Sequence, residues 1–169
     1  MGYTVLHIEK GTGNDAAMPA HIERKITPKN VKPELTHLNK QLMGYHEGVS
    51  NRSEAIQYRL KNAGLTRKIS KNQVTVLRIM LSATPENIQQ IEEAEGLEGW
   101  CNDSLQWVKD TFGEANLVAA HLHMDESSPH IHATVIPIVT GERRKAKKEA
   151  TNGKRKYKKK KNEPSPPVC

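Results

Sequence analysis

The sequence predicts an α+β domain, an antiparallel β-sheet with packed helices, and three observations lead there. Short apolar or alternating runs recur at residues 3–9, 74–81, 115–124 and 130–138. Helical stripes occupy the stretches between the second and third of these. The last two runs are joined by only five residues, DESSP, which makes them antiparallel neighbours rather than parallel strands joined by a helix.

Taken in order, YTVLHIE (3–9) alternates as a strand does, and the following GTGNDAAMPAHIERKITPKNVKPE has neither helical nor strand period. Residues 10–36 therefore read as mostly irregular, and a loop of that length in a small domain is often functional. Asn51 with Glu54 three residues on forms a capping box, opening a helix through AIQYRLKNA that stops at Gly64. VTVLRIML (74–81) is a buried strand. Thr84 and Pro85 read as an N-cap and a proline at the first helical position of a short helix ending near Gly96. Leu97, Cys101, Leu105, Val108 and Phe112 then form a helical stripe, with Trp100 and Trp107 on its flank as core residues, and Gly113 ends it. ANLVAAHLHM and HIHATVIPI are the closing strands.

A chain of 169 residues that is 36% hydrophobic supports one domain and a tail. Charge draws the boundary. Residues 141–169 hold twelve Lys or Arg against three Glu, a net +9, whereas residues 1–140 carry a net −2. We expect a folded domain at 1–140 and a basic segment at 141–169 that favours a polyanion through counterion release. No run is long enough for a membrane span and the N-terminus lacks a signal-peptide pattern. Cys101 and Cys169 form no disulfide framework, so a cytoplasmic protein is expected.

HLHMDESSPHIH (121–132) contains four of the eight histidines. Side chains alternate across a strand, so Leu117, Ala119, His121 and His123 fall on one face, and His130, His132, Thr134 and Ile136 on one face of the next. With His123 opposite His130 or His132, three imidazoles converge, as a divalent metal with open positions requires. Asp125 and Glu126 lie in the turn, where a carboxylate orients a ligand imidazole or binds the metal, and Glu126 ranks first for a supporting role. His121, one pair further from the turn, stays outside the metal shell.

The stretch HMDESSPHIHATVIP (123–137) resembles the metal motif of the histidine-hydrophobic-histidine endonucleases, specifically the Mob/Pre (MOBV) conjugative relaxases. PAHIERKITPKN followed by THLNKQL is similar to that family's first motif, and the resemblance covers residues 1 to about 140. It implies a relaxase-like fold and an enzyme that nicks one strand at an origin of transfer, remains covalently attached to the 5′ phosphate and rejoins the strand. The nucleophile maps onto His21 and the motif's arginine onto Arg24, suited to a bidentate phosphate contact. His123, His130 and His132 map onto the metal ligands and Glu126 onto the nearby acid. The metal implied is Mn²⁺ or Mg²⁺, although imidazole softness alone suits Zn²⁺ or Ni²⁺. The partner implied is single-stranded and hairpin DNA, with Arg143, Arg144, Lys145, Lys147, Lys148, Lys154, Arg155 and Lys156 as basic contacts. Homodimerisation would use a region outside this sequence, with 141–169 the remainder of a longer DNA-binding domain. His37 or Asn39 would orient His21. Ile22 departs from the family, which often has a polar residue there.

Two other readings share these features. Rolling-circle replication initiators and transposase-like nucleases carry a similar hairpin, but their nucleophile usually follows it, and only Tyr157 does so here. Among the other tyrosines, Tyr3 and Tyr58 read as structural, which leaves Tyr45 as the rival nucleophile. A relaxosome DNA-binding protein with a structural metal would be non-catalytic.

Overall fold

The computed structural model describes residues 4–13, 15, 18–142 and 159–165. Its central element is a five-stranded antiparallel sheet built from β1 (Thr4–Thr12), β2 (Lys40–Gln41), β3 (Val74–Ala83), β4 (Leu117–His123) and β5 (His130–Val135). The spatial order is β1-β3-β5-β4-β2. The α+β expectation holds. β3, the most apolar strand, lies between two neighbours and has few exposed positions, as continuous hydrophobicity requires.

One face of the sheet carries α3 (Pro85–Glu93) and α4 (Leu97–Phe112). Cys101, Leu105 and Val108 of α4 close over Ile79, Leu81, Ala120, Leu122, Ile131, Ala133 and Val135. Trp100 packs against the margin of this core. Trp107 does not belong to it: two positions past Leu105 it has rotated off the stripe, is 41% exposed, and meets Phe112 edge-on at 6.2 Å. Thr84 occupies the cap position of α3, but its hydroxyl makes no cap bond, and the helix ends at Glu93 rather than near Gly96.

α2 (Arg52–Lys61) covers part of the opposite face, where Ile56, Ala63, Val76, Ile136 and Ile138 form a second core. Asn51 Oδ1 accepts from the Glu54 amide at 3.0 Å, and Glu54 Oε2 reaches back to the Ser50 amide at 2.8 Å, one residue before the expected partner. The fully buried Arg52 donates to Thr134 Oγ1 at 2.7 Å and to Asp15 Oδ2 at 2.8 Å.

Strict alternation fails at one place. A bulge between Leu117 and Ala119 puts Leu117 into the core under α4, not on the histidine face. Beyond it the register is regular: His121 stands opposite His132 and His123 opposite His130.

Because β1 and β2 are opposite edges, the segment between them must cross the whole sheet. This strap includes the single helical turn α1 (Pro19–Ile22) and a 3-10 turn at Pro33–Leu38, so it is mostly irregular, as expected. β6 (Val139–Glu142) and β7 (Lys159–Ser165) form a separate antiparallel pair. The eight basic residues Arg143, Arg144, Lys145, Lys147, Lys148, Lys154, Arg155 and Lys156 lie outside the described residues. No helix among the described residues is long and apolar enough to cross a membrane.

Candidate active site

The short turn after β4 and the regular register bring three imidazoles together. Ring centroids of His123 and His130 are 5.2 Å apart, of His123 and His132 4.7 Å, and of His130 and His132 4.8 Å. One ring nitrogen from each lies within 4.8 Å of the other two. Hydrogen bonds select the tautomers. His123 Nε2 donates to the Ile22 carbonyl at 2.8 Å, leaving Nδ1 a bare, buried nitrogen with no protein partner. His130 Nδ1 donates to the Ser128 carbonyl at 2.9 Å, which leaves its Nε2 bare and 3.1 Å from His132 Nε2. Burial lowers the pKa of His123 to about 4 and that of His132 to about 2, with neighbouring charges adding to the shift. Without a cation His132 Nε2–H donates to the bare His130 Nε2; with the His132 proton moved to Nδ1, three neutral imidazole nitrogens face one point, the donor set a divalent cation takes.

Asp125, fully buried in the turn, joins this cluster to the strap. It accepts from Arg24 Nη2 at 2.6 Å and Nε at 3.0 Å, Asn39 Nδ2 at 2.7 Å and Thr36 Oγ1 at 3.1 Å. Its backbone carbonyl takes the Lys32 amide at 2.7 Å. Although burial opposes ionisation, bonds from Arg24, Asn39 and Thr36 outweigh it and hold the carboxyl at about 2. Arg24 Nη2 also meets Glu126 Oε1 at 2.6 Å, and Asn30 Nδ2 meets Glu126 Oε2 at 2.7 Å.

Two expectations change here. Asp125 and Glu126 take three of the five N–H groups of Arg24 and the His21 carbonyl a fourth, so the fork faces these carboxylates, ties the turn to the strap and is not turned as a pair of donors toward a phosphate. Asn39 does not orient His21: its amide bonds Asp125, and its carbonyl oxygen accepts from the Met124 amide at 2.7 Å. His37 is exposed on the 3-10 turn. Glu126 sits beside the cluster as expected, with Oε1 3.9 Å from His130 Nε2.

His21, on α1, projects over the same cluster. Its ring centroid lies 6.0 Å from that of His132 and 6.4 Å from that of His123. The strap is pinned immediately downstream, where Arg24 adopts φ +52° and its Nη1 donates to the His21 carbonyl at 3.2 Å. A left-handed arginine costs about 1–2 kcal/mol, which its carboxylate partners offset. Burial, with Arg24 as the next cause, lowers the His21 pKa. The ring therefore stays neutral and nucleophilic at neutral pH.

Tyr45, the rival, donates to Glu23 Oε1 at 3.1 Å, with His121 Nε2 3.4 Å away. Burial and the Glu23 carboxylate push its phenol further from ionisation, the wrong direction for a nucleophile. Thr36, Asn30 and Glu23 were missed by sequence reasoning, which has no signal for a loop residue whose partner is 89 or 96 positions away, as for Thr36 and Asn30, or 22 and 29 away, as for Glu23 with Tyr45 and Arg52.

These titrations predict how the metal-free protein responds to acid. Unfolded histidines protonate near 6.5, so between about pH 6.5 and 4 the unfolded chain binds protons that His123 and His132 refuse, and stability falls with pH. Below about pH 4 Asp125 adds a loss of the same sign, continuing to about pH 2. The urea midpoint should decline steadily from pH 7 to pH 3. A midpoint unchanged between pH 6.5 and 4.5 would contradict the buried neutral cluster.

A family model described as plasmid recombination enzyme, Mob_Pre, matches residues 1–165, beyond the limit near 140 set by the motifs. A 65 kDa protein of Zymomonas mobilis subsp. mobilis is 30% identical over 137 residues, covering 80% of this chain and 23% of that protein. A plasmid recombination enzyme of Streptococcus agalactiae is 27% identical over 145 residues, covering 83% of this chain and 29% of the relative. The chain thus spans less than a third of the length of these relatives. Among solved structures, the Mn-bound MobM relaxase domain (MOBV; Mob_Pre) on a 22-nucleotide oriT DNA of plasmid pMV158 superposes with a TM-score of 0.69 at 26% identity. That match covers 80% of this chain and 70% of the other.

Proposed function

The chain belongs to the Mob_Pre family of plasmid recombination enzymes, and from that premise we propose that it is the catalytic part of a plasmid-mobilisation relaxase. Its substrate in this reading is one DNA strand at an origin of transfer, and its product is a 5′-phosphoryl adduct on His21. The carrying observation is the placement of the His21 ring about 6 Å from the rings of His123 and His132.

The bare nitrogen of neutral His21 attacks the phosphorus, forming an N–P bond as the P–O3′ bond breaks. The electron pair of the broken bond leaves with the 3′ oxygen, which takes up a proton as the free 3′-hydroxyl, and the second ring nitrogen releases its proton to solvent. Rejoining reverses each step: the 3′ oxygen attacks, its proton departs, and His21 is expelled. His123, His130 and His132 would hold a divalent cation, Mn²⁺ or Mg²⁺. Bound there, it would neutralise non-bridging oxygens and stabilise the leaving oxygen. The Mn-bound relaxase domain supports this, as do the orphaned His123 nitrogen and the facing His130 and His132 nitrogens. Arg24, Asp125 and Glu126 fix the strap against the turn and so hold His21 in line with the cluster.

Incubation with Mn²⁺ and a supercoiled plasmid carrying the cognate origin should yield open circles and a denaturant-resistant protein–DNA adduct, both lost with EDTA. DNA binding without nicking under every divalent metal would favour a non-catalytic DNA-binding protein instead.

A further inference from the structure

We propose that the cavity beside His21 is a nucleobase subsite, which receives the base next to the scissile phosphate and favours one with an exocyclic amine. The proposal rests on the relaxase reading. The cavity measures about 450 Å³, within the range of sites that enclose a small organic group. Its wall includes Glu23, Lys25, Gln41, Tyr45, Asn51 and His121.

Position is the first argument. Ile22, Glu23 and Arg24, the three residues following His21, line this cavity, and so does His123. A strand whose phosphate lies over His21 therefore has an adjoining base within reach of it. The reaction described above uses neither Glu23, Tyr45 nor His121.

Chemistry is the second argument. Tyr45 gives its hydroxyl proton to Glu23, so His121 Nε2 is the donor toward that oxygen and Nδ1 is left bare. His121 is 9% exposed, and its Nδ1 is buried without a protein partner. A nitrogen in that condition costs free energy unless a donor reaches it. Glu23 adds a second acceptor: its Oε2 is buried and ion-paired at 2.8 Å with Lys25, whose side chain is 59% exposed, so a base that enters takes the place of that ammonium. Glu23 and His121 both line the cavity and Tyr45 bridges them, so acceptors on one wall match the exocyclic amine of a base, a group that thymine lacks. Gln41, directly opposite His121 in the β2–β4 register, lies on the same face; its Nε2 donates to the Met43 carbonyl at 2.8 Å, which leaves its amide oxygen as a further acceptor, and Tyr45 supplies an aromatic wall.

The test is covalent capture from a library of single-stranded oligonucleotides randomised through the cleaved region, with both fragments of each captured strand sequenced. Wild-type protein should discriminate against thymine at one position adjoining the cleaved phosphate. Tyr45→Phe and Gln41→Ala should each weaken that discrimination at least about fivefold, the size of one neutral hydrogen bond, at that position alone. Gln41 is exposed, so its variant tests the subsite even if Tyr45→Phe folds poorly. Adducts with unchanged base preference in both variants, or with preference lost evenly along the strand, would overturn the subsite while leaving the relaxase reading intact. No adduct from wild-type protein would remove both together.

Discussion

His21→Ala is expected to abolish adduct formation, with a loss on the order of 10⁴-fold or more, since removing a nucleophile leaves only binding and electrostatic stabilisation behind. Binding of single-stranded DNA should stay within a few-fold of wild type, because His21 contributes one uncharged ring to an interface whose affinity comes mostly from cations. Metal binding should also survive, as the three hairpin imidazoles do not depend on His21. The measurement is gel analysis of suicide oligonucleotides, with mass spectrometry locating the phosphate on wild-type protein. An adduct that persists in His21→Ala would return the role of nucleophile to another group, and Tyr45 would be examined first.

Asp125→Ala is expected to be the most destabilising single change at the site, costing about 3–5 kcal/mol. The reason is what it leaves behind. Arg24, with a side chain 9% exposed, would lose its bidentate partner, and Thr36 and Asn39 would lose an acceptor. Asp125→Asn keeps the volume but turns one acceptor into a donor facing a cation, so it should be intermediate. Urea unfolding at pH 7 gives the stability change. The nicking rate of whatever protein remains folded should fall by about 10²-fold, because a nucleophile displaced by about an ångström loses its alignment. Wild-type stability in Asp125→Ala would show that the strap is held by other means.

The sheet and its helices were legible because local patterns suffice for them. The apolar run at 74–81, the stripe from Leu97 to Phe112 and the Asn51 cap each encode their element within a few residues. The histidine cluster was legible for the same reason, since the spacing in HMDESSPHIH and a two-residue strand period place three rings on one face. What could not be read were facts settled between distant segments. The bulge that turns Leu117 inward depends on how β4 meets β5, and nothing in LVAAH marks it. Arg24 looks like a phosphate ligand in isolation, and only the fold reveals that Asp125, Glu126 and the His21 carbonyl take four of its five donors. Trp107 reads as core because it flanks the apolar stripe of α4, yet a shift of two positions around the helix takes it to the surface. His21 was assigned through family resemblance, for a histidine on an irregular loop has no pattern of its own.

The strap's crossing from one sheet edge to the other also has a mechanical meaning. If a DNA strand is attached to His21, tension on that strand falls on a segment tethered at both ends. One tether, β1, is paired with β3 along nine residues, whereas the other, β2, is paired with β4 along only two. A pull on the adduct would peel the β2 end away first, and the links to Asp125 that lie between His21 and β2 would bear the load before it.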